Sequence, residues 1–98
     1  MKITKTQNGS ALTVALEGRL DTTTAPQLEK ELKDGLAEIT ELTFDLGNLE
    51  YITSAGIRVM LVAQRSIKYG GTMKVVNANE IVREVFKVTG LDSVVTIE

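Results

Sequence analysis

The chain has 98 residues and a formal net charge of −2, from 11 basic and 13 acidic side chains. This length suits one small domain and leaves little room for a deep active-site cleft. Hydrophobic residues make up 43% and charged residues 24% of the chain, as in an ordinary globular protein, and neither sign of charge forms a long run. The charge pattern argues against nucleic acid as the main partner.

Two residue types that carry much of enzyme chemistry are missing, because the chain contains no cysteine and no histidine. Disulfides, thiolate chemistry and zinc sites built from these residues are excluded, and so are most common nucleophile and base pairs. No apolar run approaches the roughly 18 to 20 residues of a membrane span, and the amino terminus does not resemble a signal peptide. We expect a cytoplasmic domain without a cofactor or a bound metal.

The first residues predict a β-hairpin. Met1 to Gln7 alternates weakly between polar and apolar residues, and Asn8-Gly9 is well suited to a two-residue turn because both residues tolerate a positive φ. A second strand is expected from Ala11 to Glu17, ended by Gly18. Its expected core face consists of Leu12, Val14 and Leu16.

A first helix is expected around Pro26, which suits the first helical turn because its missing N–H would have no partner there. One of the three preceding threonines, Thr22, Thr23 or Thr24, is the expected N-cap. The helix should run to about Ala37. Its apolar stripe is expected to consist of Leu28, Leu32, Leu36 and Ile39.

The central segment predicts a buried strand followed by a buried helix. Leu42 to Leu46 reads as the strand, Gly47 to Ile52 as a short loop, and the helix begins near Thr53. The helix is apolar around much of its circumference and should end at Tyr69-Gly70-Gly71. Its first backbone N–H groups would face solvent or a partner at one edge of the sheet.

The last third predicts a strand, a helix and a short final strand. Thr72 to Val76 is β-branched, and Asn77-Ala78-Asn79 caps a helix that Gly90 ends. Val94 to Ile97 is the final strand. The expected apolar stripe of this helix is Ile81, Val82, Val85 and Phe86.

The predicted element order is β-β-α-β-α-β-α-β, without repeats or linkers. Strands joined through a helix are expected to be parallel with right-handed crossovers. The sequence therefore predicts an α/β fold in one domain, with a mixed, mostly parallel β-sheet and helices packed against it.

Three kinds of catalytic or phosphoryl chemistry fit the sequence poorly. A phosphate-binding loop needs glycines with Lys and Ser or Thr at a spacing that the chain lacks. Asp21, Asp45 and Glu50 lie in different segments, and nothing in the sequence indicates that they converge on one acid/base site. Asp45 at a strand end is compatible with a phospho-accepting receiver domain, but the acidic residues expected after the first strand are replaced by Gln7-Asn8-Gly9.

The most specific pattern lies where the central helix begins. Thr53 is a good N-cap, and Gly56 in the first turn costs about 1 kcal/mol relative to Ala, so it needs a structural reason such as a close approach of another backbone. One interpretation is purely structural: Ser54 helps to cap the helix and Gly56 packs against a strand. The other interpretation is that the junction is a functional site.

At these residues the sequence resembles the bacterial anti-sigma factor antagonists, which are STAS domains. In that family a strand ending in Asp-Leu is followed by a short loop and by Asp-Ser-Ser/Thr-Gly-Leu/Ile at a helix start. Asp45-Leu46 matches the strand end and Thr53-Ser54-Ala55-Gly56-Ile57 the helix start. Gly18-Arg19-Leu20-Asp21 with Thr24-Ala25 resembles the loop before the first helix, and Thr89-Gly90-Leu91 the carboxy-terminal turn. The resemblance covers essentially the whole chain and implies one STAS domain over residues 1–98.

The resemblance implies a switch rather than an enzyme. In the family, the serine that corresponds to Ser54 is phosphorylated by an anti-sigma factor serine kinase. The unmodified form binds that kinase and frees the sigma factor, and a metal-dependent serine phosphatase restores it. A phosphate at a helix N-terminus meets free N–H groups and a favourable dipole. The expected partner-binding residues are Asp21, Thr22, Thr23, Thr24, Thr53, Ser54, Ala55, Gly56 and Ile57.

Two positions depart from the family pattern. Thr53 stands where the family has Asp, and Ala55 replaces the second hydroxyl residue. Threonine keeps the capping role but removes a charge that a kinase can recognise. Two hypotheses therefore stand: a phosphorylation-switched antagonist, or a STAS module that binds a regulator constitutively, with possible sensitivity to a nucleotide.

Overall fold

The computed structural model describes residues 1–98, whose five strands form one sheet in the order β1-β2-β3-β4-β5. The strands are β1 (Lys2–Asn8), β2 (Ala11–Leu20), β3 (Glu41–Ile52), β4 (Thr72–Val76) and β5 (Thr96–Ile97). The helices are α1 (Ala25–Leu32), α2 (Ser54–Ser66) and α3 (Glu80–Thr89), followed by a 3₁₀ turn at Leu91–Ser93. Strand β1 is antiparallel to β2, and the later pairs are parallel. The predicted element order and mostly parallel sheet are confirmed.

One face of the sheet is buried under the helices. Along β2 the side chains alternate, so that Leu12, Val14 and Leu16 are buried while Thr13 and Glu17 remain exposed. The same alternation buries Leu42, Phe44 and Leu46 on β3. All the buried residues that form the core are hydrophobic, and no polar or charged residue is buried. The helices therefore cover an apolar core on one side of the sheet.

The predicted loop from Gly47 to Ile52 is wrong, because β3 continues through these residues to Ile52. Strand β2 also continues beyond Glu17, through Gly18, and gives this half of β3 a partner. The register shifts along this stretch, first between Ala15 and Glu17. As a result the buried residues Leu46, Leu49 and Ile52 are spaced by three, and the two-residue period that indicates a strand is lost.

Helix α1 ends at Leu32 rather than near Ala37. Gly35 has φ of +97°, a backbone conformation that interrupts a right-handed helix. The predicted apolar stripe is nevertheless buried in full, because Leu36 and Ile39 reach the core from the connection that follows the helix.

Four smaller predictions need correction. Asn8 pairs with Ala11, so the hairpin turn consists of Gly9 and Ser10 rather than Asn8-Gly9. Helix α2 ends at Ser66, before the predicted stop at Tyr69-Gly70-Gly71. The final strand, predicted from Val94 to Ile97, pairs with β4 only at Thr96–Ile97. Ile81 is 59% exposed and therefore does not belong to the buried stripe of α3. The bounds of β4 and the helix end at Gly90, with φ of +79°, are confirmed.

Candidate functional site

The carboxyl ends of β2 and β3 lie side by side and bring two separate parts of the sequence together. Leu20 pairs with Ile52, and the backbone N–H of Thr53 donates to the carbonyl oxygen of Leu20 at 3.0 Å. The next residues are the Asp21–Thr24 loop on one strand and the first turn of α2 on the other. The crevice outside the carboxyl ends of parallel strands is a common place for binding sites.

The Asp21–Thr24 loop is held by its own side chains. Oδ1 of Asp21 accepts hydrogen bonds from Oγ1 of Thr23 at 2.7 Å, from the Thr23 N–H at 3.0 Å and from the Thr24 N–H at 3.1 Å. The Thr23 hydroxyl, with further help from the Thr24 and Thr23 N–H groups, lowers the pKa of Asp21 below its usual value of 3.8, while partial desolvation opposes the shift. The loop is therefore an ordered turn around a carboxylate.

Thr24 occupies the N-cap position of α1, as one of the three predicted candidates, but its hydroxyl makes no capping bond. Oγ1 of Thr24 instead donates to the carbonyl oxygen of Arg19 at 2.8 Å and accepts from the N–H of Asp21 at 2.9 Å. Its side chain thereby ties the loop back to the end of β2. The Pro26 prediction is confirmed, since the proline lies in the first turn of α1.

Helix α2 begins at Ser54, whose side chain is exposed. Thr53 is the N-cap by its extended backbone, with φ −112° and ψ 175°, and its carbonyl oxygen accepts the first helical bond from Ile57 at 3.1 Å. The Thr53 hydroxyl makes no capping hydrogen bond, and its oxygen is buried without a partner. The predicted N-cap position is correct, but the expected side-chain bond is absent.

Gly56 allows α2 to rest directly on the ends of both strands. A Cβ atom at this position would lie 2.6 Å from Cγ of Leu20 and 2.9 Å from Cγ1 of Ile52. Such separations do not occur between real side chains, so glycine is required here for packing. The predicted close approach is present, but it is made by side chains rather than by another backbone.

The expected partner-binding residues fall into two groups. Those on the surface are Asp21, Thr22, Thr23, Thr24, Thr53, Ser54 and Ala55, of which Thr22, Thr23 and Ser54 are exposed and the other four half-buried. Gly56 and Ile57 are buried, with Ile57 only 4% exposed. In the chain alone these two residues position the start of α2 and do not present a contact surface.

Further residues at this edge were not anticipated from the sequence as a group. The guanidinium of Arg19 lies over the ring of Tyr51, 5.6 Å from its centroid, and the two residues are partners in the β2–β3 register. Nδ2 of Asn79 donates to the carbonyl oxygens of Leu49 at 3.1 Å and Glu50 at 3.3 Å. Because these contacts depend on the shifted strand register, residue spacing alone does not reveal them.

The three carboxylates considered for acid/base chemistry have different surroundings. Asp21 is bonded within its loop, Asp45 accepts from the Gly47 N–H at 3.0 Å and from Nδ2 of Asn77 at 3.1 Å, and Glu50 is exposed. No group of three or more acidic residues is arranged to hold a metal ion. A groove of about 820 Å³ beside α3 and the final strand contains none of these carboxylates. Its lining includes Arg83, Lys87 and Thr96.

None of the helices combines the length and the apolar character that a membrane crossing requires. Helix α2, the longest at 13 residues, carries two arginines.

Comparisons with known proteins agree with this architecture. The STAS domain model matches residues 2–98. BtrV of Bordetella bronchiseptica, named as a candidate anti-sigma factor antagonist, is 35% identical over 99 residues, which cover 96% of this chain and 83% of BtrV.

Solved structures show the same fold at lower sequence identity. An anti-sigma factor antagonist from Mycobacterium paratuberculosis superposes with a TM-score of 0.88 at 23% identity, over 98% of this chain and 83% of that one. The anti-sigma factor antagonist SpoIIAA in its unphosphorylated form gives 0.82 at 19% identity, over 99% and 88% of the two chains. Bacillus SpoIIAA in the phosphorylated form gives 0.76 at 18% identity, over 99% and 91%. The chain belongs to the STAS domain family and, within it, to the anti-sigma factor antagonists.

Proposed function

We propose that this protein is a phosphorylation-switched antagonist that acts on an anti-sigma factor serine kinase. Its unphosphorylated form binds the kinase, which then releases its sigma factor. Phosphorylation of Ser54 ends the interaction, and a metal-dependent serine phosphatase restores it. In this scheme Ser54 is the substrate of another enzyme and not a catalyst. The observation that carries the proposal is the exposed Ser54 hydroxyl at the first residue of α2, beside the Asp21–Thr24 loop.

The docking surface in this proposal consists of the seven surface residues described above, from Asp21 to Thr24 and from Thr53 to Ala55. Hydrogen bonds around Asp21 order one half of it, and the packing of Gly56 on Leu20 fixes the other half. A surface that is already ordered loses little conformational entropy when a partner binds. This favours recognition by the folded chain as it stands.

Phosphorylation of Ser54 would change the charge of this surface without unfolding it. A phosphoserine carries a charge of about −1.5 to −2 at neutral pH, and a helix N-terminus is a favourable place for that charge. The first-turn N–H groups are not capped by the Thr53 hydroxyl. SpoIIAA supports the feasibility of such a switch, since its phosphorylated and unphosphorylated forms both share the present fold. The added charge would then repel or block the partner.

A second candidate function follows from Thr53. This residue takes the place of an acidic residue in the family motif, and its hydroxyl is buried, so a kinase would find neither the charge nor an exposed polar group there. Under this alternative the chain is a STAS module that binds its regulator constitutively, with sensitivity to a nucleotide as a further possibility.

Incubation with each anti-sigma factor kinase encoded by the source organism, with ATP, separates the two functions. We expect one phosphate per chain, located at Ser54 by mass spectrometry, and none on the Ser54→Ala variant. Ser66→Ala is the matched control, because Ser66 is an exposed serine in the same helix. The absence of modification with every such kinase would contradict the switch and favour the constitutive module.

Binding measurements test the consequence of the switch. Ser54→Asp should weaken binding to the cognate kinase by at least tenfold, since it adds a negative charge at the centre of the docking surface. Ser54→Asn, which is similar in shape but neutral, should weaken it less. Equal affinities for Asp, Asn and the unchanged chain would count against a charge-based mechanism.

A further inference from the structure

Helix α2 has an unusual charge pattern for an exposed helix face. It contains Arg58 and Arg65 but no acidic residue. Both arginines are exposed, and the two ion pairs of the molecule lie elsewhere, between Lys5 and Glu31 and between Lys74 and Glu98. Arg58 therefore has no carboxylate partner in the folded chain.

Arg58 follows Ser54 by four residues, which is one helical turn. Side chains at this spacing are neighbours on the helix surface, with Cβ atoms about 5–6 Å apart. Long side chains in a helix generally point back toward its N-terminus, and for position 58 this is the direction of the turn that contains Ser54. Both side chains are exposed.

Other cations are less well placed to reach Ser54. Arg65 is eleven residues after Ser54, about 16 Å further along the helix axis. Arg19, at the end of β2, is stacked over the ring of Tyr51. The neighbouring loop offers no cation either. Its charged residue, Asp21, is negative and would repel a phosphate on Ser54. Of the three arginines compared, Arg58 is the one best placed to receive a phosphate on Ser54.

We propose that Arg58 is the intramolecular receptor of the Ser54 phosphate. The proposal rests on the proposed function, in which Ser54 is the modified residue. A guanidinium and a phosphate form charge-assisted, often bidentate hydrogen bonds. Phosphorylation then changes the surface twice: it adds negative charge at Ser54, and it engages a positive charge at Arg58 that the unmodified chain leaves exposed to a partner. The structural element that responds is a single helical turn, and the domain keeps its fold.

The pKa of the phosphate measures this pairing directly. The second ionisation of phosphoserine lies near pH 6, and the chain contains no histidine that would titrate in the same range. A guanidinium beside the phosphate favours the dianion and lowers its pKa. Phosphoserine incorporated at position 54 during translation removes any dependence on a kinase, and ³¹P NMR follows its titration.

We expect Arg58→Gln to raise the phosphoserine pKa by on the order of half a unit relative to the otherwise unchanged phosphorylated chain. Arg65→Gln, the matched control, should leave it unchanged, and Arg58→Lys should restore part of the effect. The difference should shrink in 1 M salt, where the Debye length is about 3 Å. Circular dichroism and thermal unfolding of each variant confirm that the fold is retained.

Equal phosphate pKa values in the Arg58→Gln and Arg65→Gln chains would overturn the pairing, and so would a difference that salt does not reduce. These results are independent of the proposed function. If no kinase modifies Ser54, the proposed switch is wrong, but the titration still tests whether Arg58 binds a phosphate at position 54. If the phosphate pKa is the same in all variants, Arg58 does not bind the phosphate, and Ser54 remains a modification site.

Discussion

Gly56 determines how closely the start of α2 approaches the sheet. The position has helical backbone geometry, so a glycine there carries a cost of about 1 kcal/mol relative to alanine. That cost is offset by contact with the fully buried side chains of Leu20 and Ile52. One glycine therefore lets the start of α2 lie directly against the ends of β2 and β3.

Gly56→Ala should destabilise the protein despite the better helix propensity of alanine. Overpacking a filled core costs about 1–3 kcal/mol and the propensity gain is about 1 kcal/mol, so we expect a net loss of up to about 2 kcal/mol. Urea unfolding gives this free energy, and amide chemical shifts of the Asp21–Thr24 loop report the displacement of α2.

A second substitution identifies the cause. Leu20→Ala alone removes a buried side chain and should cost about 2–5 kcal/mol. Combined with Gly56→Ala it should cost less than the sum of the two single changes by about 1 kcal/mol or more, because the new methyl group then has room. Simple additivity of the two changes would mean that the contact between positions 20 and 56 is not the reason for the glycine.

Two of the helices that begin at this edge of the sheet, α2 and α3, are capped in different ways. Asn79 accepts a hydrogen bond from the Val82 N–H at 2.8 Å, and its Nδ2 group also holds the carbonyl oxygens of Leu49 and Glu50. Thr53 has the corresponding position before α2, but its hydroxyl is buried and unpaired. Helix α3 is therefore fixed by its cap, whereas α2 is fixed by its packing.

We expect opposite results when the two cap side chains are replaced. Asn79→Ala should cost about 1–2 kcal/mol, because a capping bond and the bonds to β3 are lost. Thr53→Val, nearly identical in shape, should be neutral within about 0.5 kcal/mol or slightly stabilising, because it removes an unsatisfied buried oxygen and loses no bond. Denaturant unfolding of both variants provides the comparison. A loss above 1 kcal/mol for Thr53→Val would mean that its hydroxyl makes a bond in solution.

The sequence was most informative where one element carries its own signal. Pro26, Asn79 and Gly90 mark helix ends through local backbone chemistry, and their positions were predicted correctly. The exposed helix start at Ser54 was also predictable from the pattern around it. The purpose of Gly56 was predicted only in outline, because the residues that require it, Leu20 and Ile52, come from two strands.

Prediction failed where structure depends on pairing between distant segments. The second half of β3 has the sequence pattern of a loop, because a register shift against β2 spaces its buried residues by three. The hydrogen bonds of Asn79 to Leu49 and Glu50 depend on the same geometry. Gly47-Asn48 has the composition of a loop. The apolar residues after it are recognisable as part of a strand only when their pairing with β2 is known.

At the scale of the whole molecule, the titratable groups that affect folding change charge in a different pH range from a phosphate on Ser54. The core contains hydrophobic residues only, and the charged residues lie at least partly in contact with solvent. The chain also lacks histidine and cysteine, the side chains that ordinarily titrate between pH 5 and 9. Folding should therefore be insensitive to pH over the range in which a phosphate on Ser54 changes its charge.

We predict a free energy of unfolding that is nearly constant from pH 5 to 8 and falls in acid, partly through Asp21. The folded pKa of Asp21 lies below its usual value of 3.8, chiefly because of the Thr23 hydroxyl. A depressed folded pKa gives stability that is present above the unfolded pKa and is lost as the pH falls through the folded pKa. Asp21→Asn should therefore lower the stability at pH 7 and weaken its dependence on pH below 4, so that the two curves approach each other in acid.

Thermal unfolding between pH 2 and 8 tests this, and Thr23→Val, which removes the principal hydrogen bond, should move the Asp21 pKa upward in a ¹³C carboxyl titration. Parallel stability curves for the Asp21→Asn and unchanged chains down to pH 2 would assign the acid sensitivity to other carboxylates.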